Sequence, residues 1–249
     1  MHPTLLRHII ASEVSLAAQF SNEIIRPWGR LYVNPGNPQH NDANKARLIR
    51  TTEPERAIAE LIAFYSGHGL APRAFLDQLT EPADLAERLR AHGFAVDSGP
   101  LPVMTWEGAA PQAPALPAGV TIERATVADG PLIGLIRSEA LGYQPGWITH
   151  AAGRELASPR YQYFIARVDG EPAACGALVD VGSPARLEYV ATRPAFQGRG
   201  LALALVQTIQ RAATGPLFLL YTREVAGRVY KRAGFVSAGE VLETECWAP

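Results

Sequence analysis

Sulfur-bearing residues are scarce in this chain, which has two cysteines and two methionines in 249 residues. Cys175 and Cys246 lie far apart and match neither a C-x-x-C pair nor a metal-ligand spacing. A disulfide framework is therefore excluded, and free thiols in a reducing compartment are expected, a single bridge being the alternative. Five of the six histidines fall before residue 100, without H-x-x-x-H or Cys/His spacing, so no metal is expected. An excess of one charge is also missing. Lys and Arg number 23 against 24 Asp and Glu, a net charge of −1, and neither half is basic enough to be a nucleic-acid platform. No run approaches the ~18 apolar residues of a membrane span. The N-terminal stretch M-H-P-T-L-L-R-H-I-I-A-S-E-V has neither an apolar core nor a small-residue cleavage site. The expectation is a cytoplasmic protein with no membrane and no nucleic-acid partner.

What is present suits folded α/β structure. Hydrophobic residues make up 47% and charged residues 19%, enough for an ordinary core, and the length fits one large domain or two of common size. Five of the 20 prolines fall between positions 100 and 119. The segment W-E-G-A-A-P-Q-A-P-A-L-P-A-G should be extended and semi-rigid. This composition shift predicts an N-terminal α/β domain over 1–108, a linker over 109–119 and a second domain over 120–249.

The first half reads as a helix over Leu5–Phe20, strands R-L-Y-V and A-R-L-I-R, and a helix opened near Thr52 or Glu53. There follow A-F-L-D-Q-L, a helix from Pro82 to about His92 that closes at Gly93, and a strand V-M-T-W. In the second half V-T-I-E-R-A-T alternates as a strand, and Thr126 or Asp129 can cap the helix that follows. Asp169-Gly170 marks a hairpin turn. The order β-α-α-β-β-β-α-β-α-β predicts a mixed α/β layer architecture.

The stretch from Val190 to Ala202, V-A-T-R-P-A-F-Q-G-R-G-L-A, organises this half. It reads as the end of a strand, a glycine loop and the start of the helix L-A-L-A-L-V-Q-T-I-Q. A helix N-terminus offers unpaired N–H groups and a favourable dipole to an anion, and Arg199 adds charge. The two glycines are expected to let a phosphate approach the backbone. The alternative is an ordinary tight loop.

Residues 120–249 resemble the GCN5-related N-acetyltransferase (GNAT) superfamily. The resemblance rests on Gln197-Gly198-Arg199-Gly200-Leu201-Ala202, which follows the pattern Arg/Gln-x-x-Gly-x-Gly/Ala, on the preceding V-A-T-R-P, and on A-x-x-x-Y-x-x-x-G-F at Ala226, Tyr230, Gly234 and Phe235. It implies the GNAT fold and acetyl-CoA as acyl donor. Backbone amides of Gln197, Gly198, Arg199, Gly200, Leu201 and Ala202 would hold the coenzyme pyrophosphate. Main-chain groups of the Val190–Ala191–Thr192 strand end, those of Val190 and Thr192 in particular, would hold the pantetheine arm. The thioester would lie near Glu188 and Tyr221, with Tyr230 protonating the departing thiolate. Glu188 is the candidate base, against the alternative of a solvated or paired strand carboxylate. For Tyr230 the alternative is a core tyrosine. Arg223 stands where the family often has Asn, which puts that contact in doubt and leaves a coenzyme phosphate or solvent as its partner.

The implied activity is transfer of an acetyl group from acetyl-CoA to a primary amine of a small molecule, amino acid or peptide by direct attack, in a monomer or homodimer. The alternatives are a non-catalytic acyl-CoA-binding sensor or scaffold, or an interaction protein with no coenzyme affinity. The first half echoes the second in order but lacks the glycine loop. It is either a degenerate GNAT-like repeat, making the chain a tandem GNAT, or an unrelated cap.

Overall fold

A computed structural model describes residues 1–109, 111 and 116–248; residues 110 and 112–115 of the expected linker lie outside the described residues. The chain divides into two units. Unit 1 comprises Met1–Leu101 with the chain end from Glu240, and unit 2 comprises Pro102–Gly239. The chain passes between them within two twelve-residue strands, β5 (Ala95–Trp106) and β11 (Val236–Trp247). The linker composition thus does not coincide with the change of unit, and the last strand divides its length between both.

Unit 1 begins with α1 (Pro3–Phe20), where Pro3 occupies an early position that needs no N–H partner and the His2 ring accepts from the Thr4 amide. Then come β1 (Asn22–Arg26), β2 (Gly29–Val33), β3 (Ala46–Leu48), α2 (Pro54–Gly67), β4 (Arg73–Asp77) and α3 (Leu85–Ala91). Strands β1, β2 and β3 are antiparallel neighbours, β3 pairs in parallel with β4 across α2, and the end of β11 runs antiparallel to β4. Leu31, Leu48, Ile58, Leu61, Leu76 and Leu89 fill the core on one face. Arg47 lies on the other and forms a buried 2.8 Å ion pair with Asp77.

Unit 2 continues from β5 through β6 (Val120–Arg124), α4 (Gly130–Leu141), α5 (Pro145–Ala157), β7 (Tyr161–Val168), β8 (Glu171–Val179), β9 (Ala185–Thr192), α6 (Leu201–Ala212), β10 (Leu217–Leu220) and α7 (Glu224–Arg232). Its strands lie in the order β5-β10-β9-β8-β7-β6. The predicted order of elements is the observed one. Thr126 and Asp129 form a capping box ahead of α4, and Asp169-Gly170 turns with φ of 49° and 84°. The inner stripe of α6, with Leu205, Val206 and Ile209, packs on Leu187, Leu217 and Leu219. Burial of each such side chain stabilises by about 1.5–3 kcal/mol.

The two units share a connectivity: three antiparallel strands, a helix, then a parallel strand. Their parallel pairs also match. Ala46↔Ala74 and Arg47↔Phe75 open the pairing in unit 1, Ala185↔Leu217 and Arg186↔Phe218 in unit 2, and both lead strands read A-R-L.

Candidate active site

The site is built where β9 leaves β10. Parallel pairing between them covers only Leu217↔Ala185 and Phe218↔Arg186, while β10 stays paired to β5 as far as Leu220↔Val103. Beyond Arg186 the pairing ends, and the main chain of β9 after that point has no strand partner on the β10 side among the described residues.

A register shift marks the departure. Cys175 faces Ala191 and Ala177 faces Glu188, so Tyr189 and Val190 together oppose the single residue Gly176. Such a bulge re-aims side chains. Leu187 and Val190 pack with the α6 side of the core, whereas Tyr189 lies against Arg137 of α4 and Tyr163 of β7. Tyr189 has φ +56°, a region that costs a bulky residue on the order of 1–3 kcal/mol. The space opposite it is tight: a Cβ on Gly176 would lie 3.0 Å from Ile209 Cδ1 and 3.4 Å from Val190 Cγ2, so the Ile209 side chain would have to give slightly.

Val190, Ala191 and Thr192 follow the bulge, with Ala191 and Thr192 still paired to β8. The loop that follows is anchored by Arg193, which donates to Glu139 at 2.9 Å, to Glu171 at 2.8 Å and to the Pro172 carbonyl at 2.7 Å. Gln197 returns its amide to the Thr192 carbonyl at 3.2 Å. Gly198 and Gly200 both have φ +77°, and Gly200 is the N-cap of α6 without a side-chain cap. A Cβ at either glycine would meet no atom within 4 Å. The loop therefore demands glycine through φ. Arg199 is exposed, its guanidinium 5.4 Å from the Phe196 ring. Leu201 and Ala202 open α6, where the first N–H groups have no partner inside the helix.

Tyr230 is buried on α7 beside Tyr221, ring centroids 6.0 Å apart, and Phe235 at 6.1 Å. Gly227 admits Tyr221 to this place: a Cβ on it would meet the Tyr221 ring at 2.7 Å. Burial, then the charge of Glu188, raise the Tyr230 hydroxyl well above the usual phenol range. Glu188 forms an ion pair with Arg186, two residues earlier on the same strand face. Arg223 is exposed at the N-cap of α7, without a side-chain cap bond. The fold thus gathers Glu188, Tyr230, Tyr221 and the strand end Val190–Thr192 around the parting of β9 and β10. Sequence reasoning missed Arg186 and the buried Arg137–Glu155 pair. The signal for the Arg137–Glu155 pair was a charged residue in the apolar phase of its helix, Arg137 four after Ile133 and Glu155 four after Ala151.

Among the described residues no group of three or more His, Cys, Asp or Glu is placed to hold a metal ion, and no helix is long and apolar enough to cross a membrane. Cys175 and Cys246 are both free and buried.

Parallel strands that part beside a glycine loop at a helix N-terminus, with a buried tyrosine one strand and one helix further on, agree with the arrangement that the GNAT resemblance implies. Residues 159–237 match the family described as an acetyltransferase (GNAT) domain, so this part of the chain carries a GNAT domain. Over 127 residues it is 29% identical to the N-alpha-acetyltransferase RimI of Mycobacterium tuberculosis (strain ATCC 25618 / H37Rv), spanning 48% of this chain and 80% of that one. Among solved structures, a GCN5-related N-acetyltransferase from Kribbella flavida is similar with TM-score 0.69 and 18% identity, over 97% of this chain and 95% of that one. A tandem GNAT protein from the clavulanic acid biosynthesis pathway is similar with TM-score 0.58 and 14% identity, over 82% and 75% of the two chains. These last two likenesses bear on the fold alone. The matched segment is an acetyltransferase-type domain.

Proposed function

We propose that this protein transfers an acetyl group from acetyl-CoA to a primary amine, by direct attack of the amine on the thioester. The observation that carries the reading is the end of the β9–β10 pairing beside a loop with two positive-φ glycines at the start of α6, whose first N–H groups have no partner inside the helix. Those features fit a diphosphate at the loop and an extended arm in the gap. Gln197 through Ala202 would bind the diphosphate, with Arg199 as an added cation, and Val190, Ala191 and Thr192 would orient the arm through their main chain. Arg223, exposed beside the end of β10, is a second cation for a coenzyme phosphate.

Acetyl-CoA would supply an activated acetyl thioester. Tyr230 would hold a proton at its hydroxyl for the departing sulfur. A phenol whose ionisation is pushed upward by burial stays protonated at every working pH, which suits a donor and excludes it as the base. Glu188 would attract the acceptor ammonium and take its proton, directly or through water. No cysteine is offered as an acetyl carrier, because burial pushes the Cys175 thiol up to about 12.

The relative with 29% identity bears the name N-alpha-acetyltransferase, which supports an α-amine, of a peptide or amino acid, as the first acceptor to try. The shared connectivity and matched A-R-L register support unit 1 as a shortened duplicate of unit 2 that has lost its glycine loop. The test is calorimetric titration of acetyl-CoA, then thiol release with α-amino peptides, free amino acids and small primary amines. Binding with no release across that panel would favour the non-catalytic acyl-CoA sensor instead.

A further inference from the structure

Tyr189 and the turn residue Asp169 are the non-glycine residues with positive φ among those described. Asp169 sits in a hairpin turn that calls for it, whereas Tyr189 lies inside a strand, at the bulge where β9 leaves β10. A bulky residue stays in that region only when its surroundings over-determine it.

The surroundings here are specific. The Arg137 guanidinium lies 3.9 Å from the centroid of the Tyr189 ring. Tyr163 stacks on the same residue at 6.1 Å with 6° between planes, and the Cys175 thiol donates to the Tyr189 carbonyl at 3.7 Å. Arg137 is itself locked, with Nη1 donating to Glu155 at 2.7 Å and to the Tyr163 hydroxyl at 3.2 Å, while that hydroxyl donates to Glu155. Arg137 is 4% exposed and Glu155 1%.

As a stabiliser the pair is poorly made. Arg137 Nε and Glu155 Oε1 are buried without hydrogen-bond partners among the described residues. An under-satisfied buried ion pair repays little of its desolvation, and apolar replacements are often neutral or stabilising. What the pair does supply is a fixed cation over the face of the Tyr189 ring. We propose that Arg137 is a positioning residue, which acts through Tyr189 to hold the β9 bulge and so aims the main chain at Val190 into the gap between β9 and β10. Glu155 and Tyr163 serve it by fixing the guanidinium. The bulge part of this inference stands on geometry alone, and only its effect on turnover rests on the acetyl-CoA reading.

The test uses the intact chain. Arg137→Met alone strands the Glu155 charge, so the informative variant is Arg137→Met with Glu155→Leu, and Arg137→Lys serves as a milder second variant. Hydrogen exchange over residues 185–192, without ligand, should accelerate at least tenfold in the double variant, with β7 and β8 unchanged and the melting temperature equal or higher. Arg137→Lys, which keeps a cation but loses the flat fork, should fall between. With acetyl-CoA and a short peptide bearing a free α-amine, kcat should fall at least tenfold while KM for acetyl-CoA stays within threefold. Wild-type exchange over 185–192 in the double variant, or in Arg137→Lys should the double variant not fold, would overturn the proposal. So would a loss of turnover with unchanged exchange, because the effect would then not pass through Tyr189. Should the wild-type chain show no turnover, the acetyl-CoA reading fails while the exchange result still decides the role of Arg137.

Discussion

The carboxylate of Glu188 acts on the buried hydroxyl of Tyr230, raising its affinity for a proton beyond what burial alone does. One group is on β9 and the other on α7, so the strands that part bring a charge and a proton donor to the same gap. Tyr230→Phe should therefore keep coenzyme affinity within threefold and lower kcat about 10²-fold, the usual scale of a lost general acid. The alkaline limb of the wild-type rate profile should not report Tyr230. A variant with unchanged kcat across pH would remove the tyrosine from its assigned role.

Glu188→Gln separates attraction from proton transfer. Glu188 shares its strand face with its ion-pair partner Arg186, and the larger expected effect is on the amine, a rise in its KM of about tenfold or more, with a smaller fall in kcat. The measurement is initial rates against amine concentration at saturating acetyl-CoA. A fall in kcat alone would mean that Glu188 acts only on the proton.

Gly227→Ala tests the packing that seats Tyr221 beside Tyr230. The added methyl would lie 2.7 Å from the Tyr221 ring, a distance real contacts do not show, so the ring must move. Helix propensity alone would favour alanine by up to about 1 kcal/mol. The expected result is lower kcat/KM for acetyl-CoA in a folded protein, read by steady-state kinetics beside a thermal melt.

Unit 1 carries an independent pH dependence. Burial and the neighbouring Glu13 raise Glu243 from 4.5 to about 7, with Asp42 adding to the shift and Lys45 and Arg47 opposing it. A carboxyl with a raised folded value favours the folded state's protonated form. Its penalty is absent below the unfolded value near 4.5 and complete above about 7. Glu243→Gln should therefore match wild type at pH 4.5 and be clearly more stable than it at pH 8, seen in denaturant melts at both pH values. Equal stability at pH 8 would contradict the assignment.

Much of unit 2 was legible because its signals are local. The Thr126–Asp129 box, the Asp169-Gly170 turn and the loop glycines each impose a backbone geometry that a few residues determine. Strand β1, N-E-I-I-R, escaped because it is an outer strand with Glu23 and Ile25 both exposed, so no clean alternation marks it. The end of β11 pairs with β4, Glu243 opposite Asp77, across a sequence separation that no local pattern encodes. The bulge was equally hidden. Strict alternation would set Glu188 and Tyr189 on opposite faces, and only the register slip against Gly176 brings Tyr189 to Arg137. The Arg186–Glu188 pair was visible in principle as an i, i+2 pairing of opposite charges.

The most direct test is calorimetry of acetyl-CoA with the intact chain and with Gly200→Trp. The wild type should bind one acetyl-CoA per chain, since unit 1 has no glycine loop. Gly200→Trp, forced from φ +77° and bulky at the mouth of α6, should bind at least a hundredfold more weakly with an unchanged melting profile away from the loop. No binding heat in the wild type at millimolar acetyl-CoA, or equal affinity in the two proteins, would contradict the account.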